Sequence, residues 1–337
     1  MIRSVLARGF GLASKLNMAR YDSGLIPPTT IDETVVISVG NIAVGGRGKS
    51  PLAQYIAHWY AEHNFQVTLL LRGYRGRMEA DGGIVSRGNG PGVTPEEAGD
   101  EAYAAAVLCP GVTVRVGKHR LPQARAARAE GAQIIVLDDG FQHRRIDRNL
   151  DIACVSPGDI AKNSRFFPAG QLRESAEGLK RAHLLTGYAD DWKGHPGAPP
   201  VLYRSTPDAL LTANFETMPL ARLPRRVHLL SGIEVPERFM QTVSSLPTTA
   251  TSMSFFPDHH VFSGRDIHAV QRDACRSGAE AILTTAKDLS RLAAAATDIP
   301  ILALSTTLCI CAGQSQLHRE LRGALQHNPR HKVFKSR

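Results

Sequence analysis

The residues best suited to do chemistry are three glycines, a lysine and a serine between positions 45 and 50. Gly45, Gly46 and Gly48 carry no side chain that would keep a ligand away from the backbone. Backbone amides at the start of a helix, with the ammonium of Lys49 beside them, form a binding site for a polyphosphate. The hydroxyl of Ser50 then lies where a bound Mg²⁺ would take a ligand. These residues predict a nucleotide-binding loop.

Such a loop needs a buried strand before it and a helix after it. Residues 35–39 are mostly β-branched and apolar, as a central parallel strand requires. Pro51 suits the first turn of a helix, where its missing N–H costs nothing. The match to G-x-x-x-x-G-K-[ST] is not strict, since Ala43 occupies the first glycine position, and a plain glycine-rich loop is the alternative. The candidate nucleotide-binding residues are Ala43, Val44, Gly45, Gly46, Arg47, Gly48, Lys49 and Ser50.

A second stretch, residues 133–139, leads four apolar residues directly into Asp138 and Asp139. A strand that ends in an acid next to a nucleotide-binding loop is typical of a magnesium site. Carboxylate and hydroxyl oxygens are the protein ligands that Mg²⁺ accepts, and it keeps several waters. The candidate metal ligands are therefore Ser50, Asp138 and Asp139. Because the two acids point in different directions on a strand, we expect only one of them to touch the metal.

The wider chain predicts an α/β protein. Alternating strands and helices through residue 200 predict a mostly parallel sheet with helices on both faces, and residues 77–99, rich in Gly and Pro, predict a loop. We expect a core domain at 1–200 and a two-stranded linker at 201–225, a hairpin of residues 201–205 and 210–217. A smaller α/β domain would follow at 226–325, with a basic tail at 326–337.

Composition limits the classes of function. The formal net charge of +9 favours an anionic partner, whether nucleic acid, acidic membrane or phosphorylated substrate. Few aromatic residues and no zinc-finger spacing argue against nucleic acid. Five scattered cysteines indicate a reducing compartment, and Cys309 and Cys311, in a predicted strand, are expected in the core.

The first 21 residues contain four cations and no acid. On a helix, their apolar side chains share one face and most of the cations flank it. Such a helix binds the surface of an anionic membrane, and the alternative is a terminal helix packed on its own domain. Nothing in this segment is long and apolar enough to span a bilayer.

Eight short motifs occur in order along the chain, and together they resemble the tetraacyldisaccharide 4'-kinase family, the lipid A 4'-kinases of Gram-negative bacteria. The resemblance covers roughly residues 15–325. The motifs are VGNIAVGGRGKSP at 39–51, RGY at 72–74, GDE at 99–101, LDDGFQH at 137–143, PAGQLRE at 168–174, SGI with PERF at 231–239, FPDHH at 256–260 and TTAKD at 284–288.

The resemblance implies an enzyme that transfers the γ-phosphate of ATP, with Mg²⁺, to the 4'-hydroxyl of a tetraacyl glucosamine disaccharide 1-phosphate. It implies a P-loop kinase core and a peripheral location at the cytoplasmic face of the bacterial inner membrane, with no nucleic-acid or protein partner. It also implies a catalytic role for Lys49 and a catalytic pair, Asp100 and His259, in which Asp100 receives the proton and His259 assists.

Each of these residues has a plainer interpretation. Asp100 precedes a predicted helix and suits a helix cap. His259 has a histidine neighbour at 260, and either could be a surface residue. Arg72, Arg144 and Arg173 could meet substrate phosphates or simply form ion pairs. A P-loop ATPase or GTPase that acts on a protein partner, with residues 285–288 as a loose guanine motif, and a basic nucleic-acid-binding module remain as alternatives.

Overall fold

The computed structural model describes residues 2–292 and 297–326. The predicted helix at 287–295 extends beyond the described residues from 293, and the predicted tail does so from 327. The helices are α1 Ile2–Asp22, α2 Lys49–Glu62, α3 Pro95–Ala98, α4 Asp100–Leu108, α5 Arg120–Ala129, α6 Pro157–Ile160, α7 Pro236–Ser244, α8 Gly264–Arg276, α9 Ala286–Leu292 and α10 Gln314–Gln326. The strands are β1 Val35–Gly40, β2 Val67–Leu71, β3 Gly83–Arg87, β4 Thr113–Val116, β5 Ile134–Asp138, β6 Leu150–Cys154, β7 Leu184–Tyr188, β8 Val201–Thr212, β9 Thr217–Pro219, β10 Arg226–Ser231, β11 Thr249–Phe255, β12 Ala281–Thr285 and β13 Ile301–Ala312.

The strands of the described chain form one continuous, mostly parallel sheet, in the order β11-β10-β12-β13-β8-β7-β6-β1-β5-β2-β4-β3. The run from β7 to β4 is parallel, and so is the run from β11 to β13. In this order, the strands from β7 to β3 with the helices packed on them are called the first half. The strands β11, β10 and β12 with their helices are called the second half, and β13 and β8 lie between the two. The α/β prediction with a large, mostly parallel sheet is confirmed.

Both faces of the first half are buried, as its apolar strands predict. Along β5, Ile134 and Val136 pack on one face with α2 and α4, and Ile135 and Leu137 pack on the other with α5. Strands that alternate between two apolar layers have to be apolar at nearly every position. The second half repeats this plan, with α8 and α9 on one face and α7 on the other.

The predicted hairpin of residues 201–205 and 210–217 was wrong. Residues 201–212 form a single long strand, β8, whose main partner is β13, in antiparallel register from Leu302 opposite Thr212 to Ala312 opposite Leu202. The turn expected at 206–209 is replaced by a register shift, with Pro207 opposite Thr306. Proline is tolerated at such an irregularity because no ladder hydrogen bond is lost there.

The last helix returns to the first half. Leu317, Leu321 and Leu325 of α10 are buried in the same core as Trp59 and Tyr60 of α2, and the Tyr60 hydroxyl donates to the carbonyl of Leu321 at 2.6 Å. The expected smaller domain at 226–325 therefore loses its last helix to the first half, which consists of two separate stretches of chain.

The stretch 77–99 is more ordered than a loop. It contains β3, an antiparallel edge strand paired with β4, and α3, which has a capping box between Thr94 and Glu97. Its glycines and prolines mark the turns between these short elements rather than a lack of structure.

The expectation of core cysteines near the C-terminus is also corrected. Cys309 and Cys311 are exposed, because they alternate along β13 with Leu308 and Ile310, whose side chains pack on the core of the first half. Cys109 and Cys154 are buried in the first half.

Helix α1 lies against the first half by a face of small residues. Ala7 and Gly11 are buried, a Cβ on Gly11 would overlap the ring of Phe166, and the Ser14 hydroxyl donates to the carbonyl of Arg173 at 2.8 Å. The apolar side chains of α1 point the other way and remain exposed, among them Val5, Leu6, Phe10, Leu12 and Leu16. None of the described helices is long and apolar enough to cross a membrane.

Candidate active site

The glycine-rich loop joins β1 to α2 at the carboxyl edge of the sheet. β1 and β5 are adjacent and parallel, with Val39 opposite Asp138. The loop and the acidic pair therefore lie at the same edge, where parallel α/β sheets bind their ligands. They line a cleft of about 1330 Å³ between the two halves of the molecule, and His259 of the second half lines it too.

Two glycines of the loop adopt backbone conformations that other residues avoid. The φ angle is +124° at Gly45 and +77° at Gly48. A Cβ at Gly48 would also overlap the ring of Tyr188 and the hydroxyl of Tyr203. Position 48 therefore requires glycine for conformation and for space.

The carbonyl groups of the loop are held from behind. The guanidinium of Arg238, in α7, donates to the carbonyl of Gly46. The hydroxyl of Tyr203, in β8, donates to the carbonyl of Arg47 at 3.0 Å and to that of Gly48 at 3.4 Å. With these carbonyls turned outward and the first amides of α2 lacking helical partners, the loop presents N–H groups to the cleft.

Arg238 thus connects the second half of the molecule to the nucleotide-binding loop. Its guanidinium also pairs with Asp191 at 2.6 Å and lies 4.2 Å from the ring centroid of Tyr188. A planar guanidinium that is bound by a carboxylate and stacked on an aromatic ring is held in one orientation.

Arg47 is bound by the body of the protein. Its guanidinium pairs with buried Asp159 at 2.9 Å and donates to Gln171 at 2.6 Å. Its side chain therefore anchors the nucleotide-binding loop to the body of the protein.

Lys49 reaches across to the acidic pair. Its ammonium lies 3.3 Å from Asp139 Oδ1 and donates to Asn41 at 3.3 Å. Arg173 donates to the other oxygen of Asp139 at 2.9 Å. Burial acts to raise the pKa of Asp139, but the charges of Lys49 and Arg173 outweigh it and hold the pKa well below its usual range. Asp139 is therefore a fixed anion between two cations.

Asp138 has different surroundings. Burial, together with the charge of Glu101, raises the pKa of its carboxyl to about 7, although a hydrogen bond from Ser50 opposes the shift. Its Oδ1 atom is buried and has no hydrogen-bond partner among the described residues. A divalent cation beside Ser50 and Asp138 would supply that partner and favour the ionised carboxylate. The donors present fit Mg²⁺.

Asp100 and His259 come from different halves of the molecule and meet at the cleft. Nδ1 of His259 lies 3.0 Å from Asp100 Oδ2. Asp100 begins α4, its other oxygen accepts the amide hydrogen of Glu101 at 2.9 Å, and its side chain is buried behind the histidine. Asp100 is not the expected cap, because Gly99 holds the N-cap position of α4. Its pairing with His259 is present, and His259 is the member that lines the cleft.

Residues from both halves hold this pair in place. His259 has a φ of +57°, and Arg75 from the first half donates to its carbonyl at 2.7 Å. Lys287 of α9 lies 3.4 Å from His259 Nε2 and also binds Glu101 of the first half at 3.2 Å. These contacts fix an otherwise unfavourable backbone conformation.

The pKa of Asp100 reflects this surrounding charge. Burial acts to raise it, but the hydrogen bond with His259 and the charges of Lys287, His259 and Arg291 outweigh burial and lower the pKa below its usual value. The carboxylate is therefore ionised at neutral pH and fixes the imidazole orientation. A histidine held in this way can accept a proton from a hydroxyl in the cleft.

The three arginines left open by the sequence lie in different places. Arg173 is in the site, bound to Asp139. Arg72 lines the cleft and pairs with Glu79 at 2.7 Å. Arg144 pairs with Asp22 at the end of α1 at 2.7 Å and does not line the cleft.

The loose guanine motif at 285–288 has a structural role. Asp288 is buried, where it accepts the amide hydrogen of Gly232 at 3.1 Å and the hydroxyl of Thr285 at 2.8 Å, and pairs with Arg291. It supports the second half beside Asp100 and His259, and its oxygens are already engaged.

The sequence analysis missed several residues of the cleft. Arg238 and Lys287 lie within the PERF and TTAKD motifs, so their motifs were visible, but no sequence pattern indicated which distant residues they bind. Arg75 had no such signal, because it binds a main-chain carbonyl 184 positions away.

Known proteins resemble this chain over most of its length. The family model LpxK, described as tetraacyldisaccharide-1-P 4'-kinase, matches residues 2–326. A tetraacyldisaccharide 4'-kinase of Anaeromyxobacter sp. (strain K) is 38% identical over 308 residues, 85% of this chain and 79% of the relative. That of Desulfotalea psychrophila is 35% identical over 281 residues, 79% of this chain and 80% of the relative. A crystal structure of LpxK from Aquifex aeolicus in complex with ATP superposes with a TM-score of 0.77 at 28% identity, covering 96% of this chain and 99% of that one.

Proposed function

Since this chain belongs to the tetraacyldisaccharide-1-P 4'-kinase family, we propose that it transfers the γ-phosphate of ATP to the 4'-hydroxyl of a tetraacyl glucosamine disaccharide 1-phosphate. This reaction is a step of lipid A biosynthesis. The observation that carries the proposal is one cleft at which a phosphate-binding loop, a carboxylate that suits Mg²⁺ and a histidine–aspartate pair meet.

The nucleotide end of the cleft neutralises charge. Lys49 and the first amides of α2 would hold the β- and γ-phosphates, and Ser50 and Asp138 would hold Mg²⁺, which neutralises charge on the phosphate oxygens when bound. Asp139 already lies between Lys49 and Arg173. We therefore assign Asp138 to the metal and Asp139 to the orientation of the two cations.

The acceptor end of the cleft handles the proton. Asp100 and His259 form one unit, in which the imidazole would accept the proton of the 4'-hydroxyl and the carboxylate would stabilise the imidazolium that forms. His259 faces the cleft and Asp100 fixes its orientation, which reverses the order expected from the sequence, where Asp100 receives the proton directly. Arg75 and Lys287 place the pair by contacts across the cleft.

A kinase assay tests this function. The purified protein, Mg²⁺ and labelled ATP are incubated with detergent-solubilised tetraacyldisaccharide 1-phosphate, and the labelled lipid is measured. We expect product with ATP and a loss of about 10³-fold in Lys49→Ala, because one charge that stabilises the transition state is removed. Lys180→Ala, at an exposed ion pair, is the matched control. Transfer by Lys49→Ala at the wild-type rate would show that the loop does not bind the reacting phosphates.

We further propose that α1 attaches the protein to an anionic membrane. The helix packs on the body through Ala7, Gly11 and Ser14 and turns its apolar side chains outward. Val5, Leu12 and Leu16 are 64%, 61% and 60% exposed, an unusual surface for a helix in water. The flanking cations, Arg3, Arg8 and Lys15, suit acidic headgroups.

This attachment suits a lipid substrate with four acyl chains, and ATP is supplied on the cytoplasmic side of the inner membrane. Because α1 also packs on the body, substitutions on its outer face test the proposal better than a deletion. We expect Leu12→Asp with Leu16→Asp to abolish flotation with phosphatidylglycerol vesicles and to preserve turnover of detergent-solubilised substrate. Met253→Asp, on the exposed edge strand β11, is the control. Unchanged flotation of the double variant contradicts the proposal.

A further inference from the structure

A second exposed apolar surface lies beside α1, on the segment of residues 160–168, which we call the interfacial loop. Phe167 is 48% exposed and Ile160 is 44% exposed. The ring of Phe167 contacts that of Phe10 in α1, with centroids 6.1 Å apart and an edge-to-face angle of 70°. The apolar surface of α1 therefore continues onto a separate part of the chain.

The exposure of Phe167 is enforced by the structure around it. Its neighbour Phe166 points inward and packs with Ile42, Ala43 and Leu172. The amide of Phe167 donates to the carbonyl of Leu172 at 2.9 Å, and that of Gly170 to the carbonyl of Phe166 at 2.9 Å. One phenylalanine is thus fixed inside and the next is fixed outside.

The charge of the interfacial loop matches that of α1. Its charged residues are Lys162 and Arg165, and both are exposed. The acid just before it, Asp159, is buried and paired with Arg47. An exposed aromatic ring between cations suits the headgroup region of an anionic bilayer.

The interfacial loop leads directly into the active site. After it the chain pairs with the nucleotide-binding loop, with Leu172 opposite Ala43 and the amide of Val44 bonded to the carbonyl of Gln171 at 2.7 Å. Arg173 then binds Asp139. Since six residues span at most about 20 Å, the backbone of Phe167 lies within that distance of the backbone of Arg173.

We propose that the interfacial loop is a second membrane-contact element, which inserts Phe167 into the bilayer beside α1 and sets the distance between the lipid surface and the catalytic cleft. The inference rests on the proposed function, since it assumes a substrate drawn from a membrane. With two separate contacts the protein has a defined orientation on the bilayer, so the disaccharide reaches Arg173 and Asp139 while its acyl chains remain in lipid.

Tryptophan fluorescence tests the insertion. The native Trp59 and Trp192 are buried, so a tryptophan placed at the surface is the residue that reports contact with lipid. We compare Phe167→Trp, Leu12→Trp in α1 and Met253→Trp on β11 in full-length protein bound to vesicles of phosphatidylglycerol with brominated acyl chains. We expect quenching at positions 167 and 12 and none at 253.

The outcomes separate the contact made by the interfacial loop from the attachment made by α1. Quenching at 12 without quenching at 167 overturns the interfacial loop and leaves the attachment by α1 intact. No quenching at either position overturns both, and equal quenching at 253 indicates unspecific insertion and also overturns the loop.

Turnover provides the functional arm. We expect Phe167→Ser to reduce kcat/KM about tenfold on substrate embedded in vesicles, because a half-exposed aromatic ring no longer enters the bilayer. Turnover of detergent-solubilised substrate and the KM for ATP should stay at wild-type values, and Met253→Ser should match wild type in both assays. An equal loss in vesicles and detergent would mean that Phe167 supports the fold of the site and not its contact with lipid.

Discussion

Replacing Asp100 with asparagine separates the proton-handling end of the cleft from the nucleotide end. The asparagine oxygen can still accept the amide hydrogen of Glu101, which Asp100 binds at 2.9 Å, so the start of α4 is preserved. What is lost is the charge that holds the His259 ring in its orientation. A positioned proton acceptor contributes typically 10²–10⁴-fold to a rate. We therefore expect kcat to fall about 10³-fold, equal to about 4 kcal/mol of transition-state stabilisation at 1.36 kcal/mol per tenfold.

The affinity for ATP should not change, since the contacts of Asp100 are with His259, Glu101 and Arg291 rather than with the nucleotide-binding loop. Single-turnover assays with saturating lipid, combined with titration calorimetry of ATP, measure the two quantities separately. The matched control is Asp266→Asn, which removes an equivalent carboxylate from the neighbouring histidine, His260, at 3.1 Å. We expect its kcat to stay within about threefold of wild type, as this pair does not line the cleft.

The contribution of Asp100 to the free energy of unfolding has a defined pH dependence. The native pKa of Asp100 is lowered, so the unfolded chain binds its proton at a higher pH than the folded protein does. The stability that the carboxylate contributes is therefore fully present above about pH 4 and is lost as the pH falls through the lowered native pKa. Any decline of wild-type turnover between pH 5 and 7 therefore reports the titration of a group other than Asp100. A loss of kcat below tenfold in Asp100→Asn, or an equal loss of ATP affinity, would refute this account of the pair.

Three further predictions concern other parts of the structure. Arg238→Ala should weaken ATP binding about tenfold or more in calorimetry, because the charge-assisted hydrogen bond that turns the Gly46 carbonyl outward is lost; unchanged affinity would contradict this role. His228→Gln should flatten the fall in urea-unfolding free energy between pH 7.5 and 5.5, since burial lowers the native pKa of His228 and the unfolded chain gains the proton at a higher pH than the folded protein does; identical slopes would refute it. Tyr60→Phe should cost about 1 kcal/mol in thermal unfolding through its lost bond to Leu321, and an unchanged Tm would mean that this bond does not hold α10.

The sequence predicted the first half of the fold well because its signals are local. The apolar strands, the glycine-rich loop and the helix after Pro51 are each determined by residues within a short window. The linker failed for the opposite reason. Thr206 and Pro207 favour a turn locally, yet antiparallel pairing with Thr306 and its neighbours, about a hundred positions away, keeps β8 extended.

The site divides in the same way. Residues joined by one motif, such as Gly48, Lys49 and Ser50, can be assigned from spacing alone. The pairing of Asp100 with His259 depends on how two halves of the molecule meet, so only family resemblance indicated it. The order within the pair and the support from Arg75 follow from burial and distances, which no local pattern encodes.

The return of α10 to the first half affects how the protein is made. The apolar side of α2 around Trp59 and Tyr60 stays uncovered on the ribosome until residues 314–326 have emerged. A nascent chain must therefore complete the second half before the nucleotide-binding half can close its core.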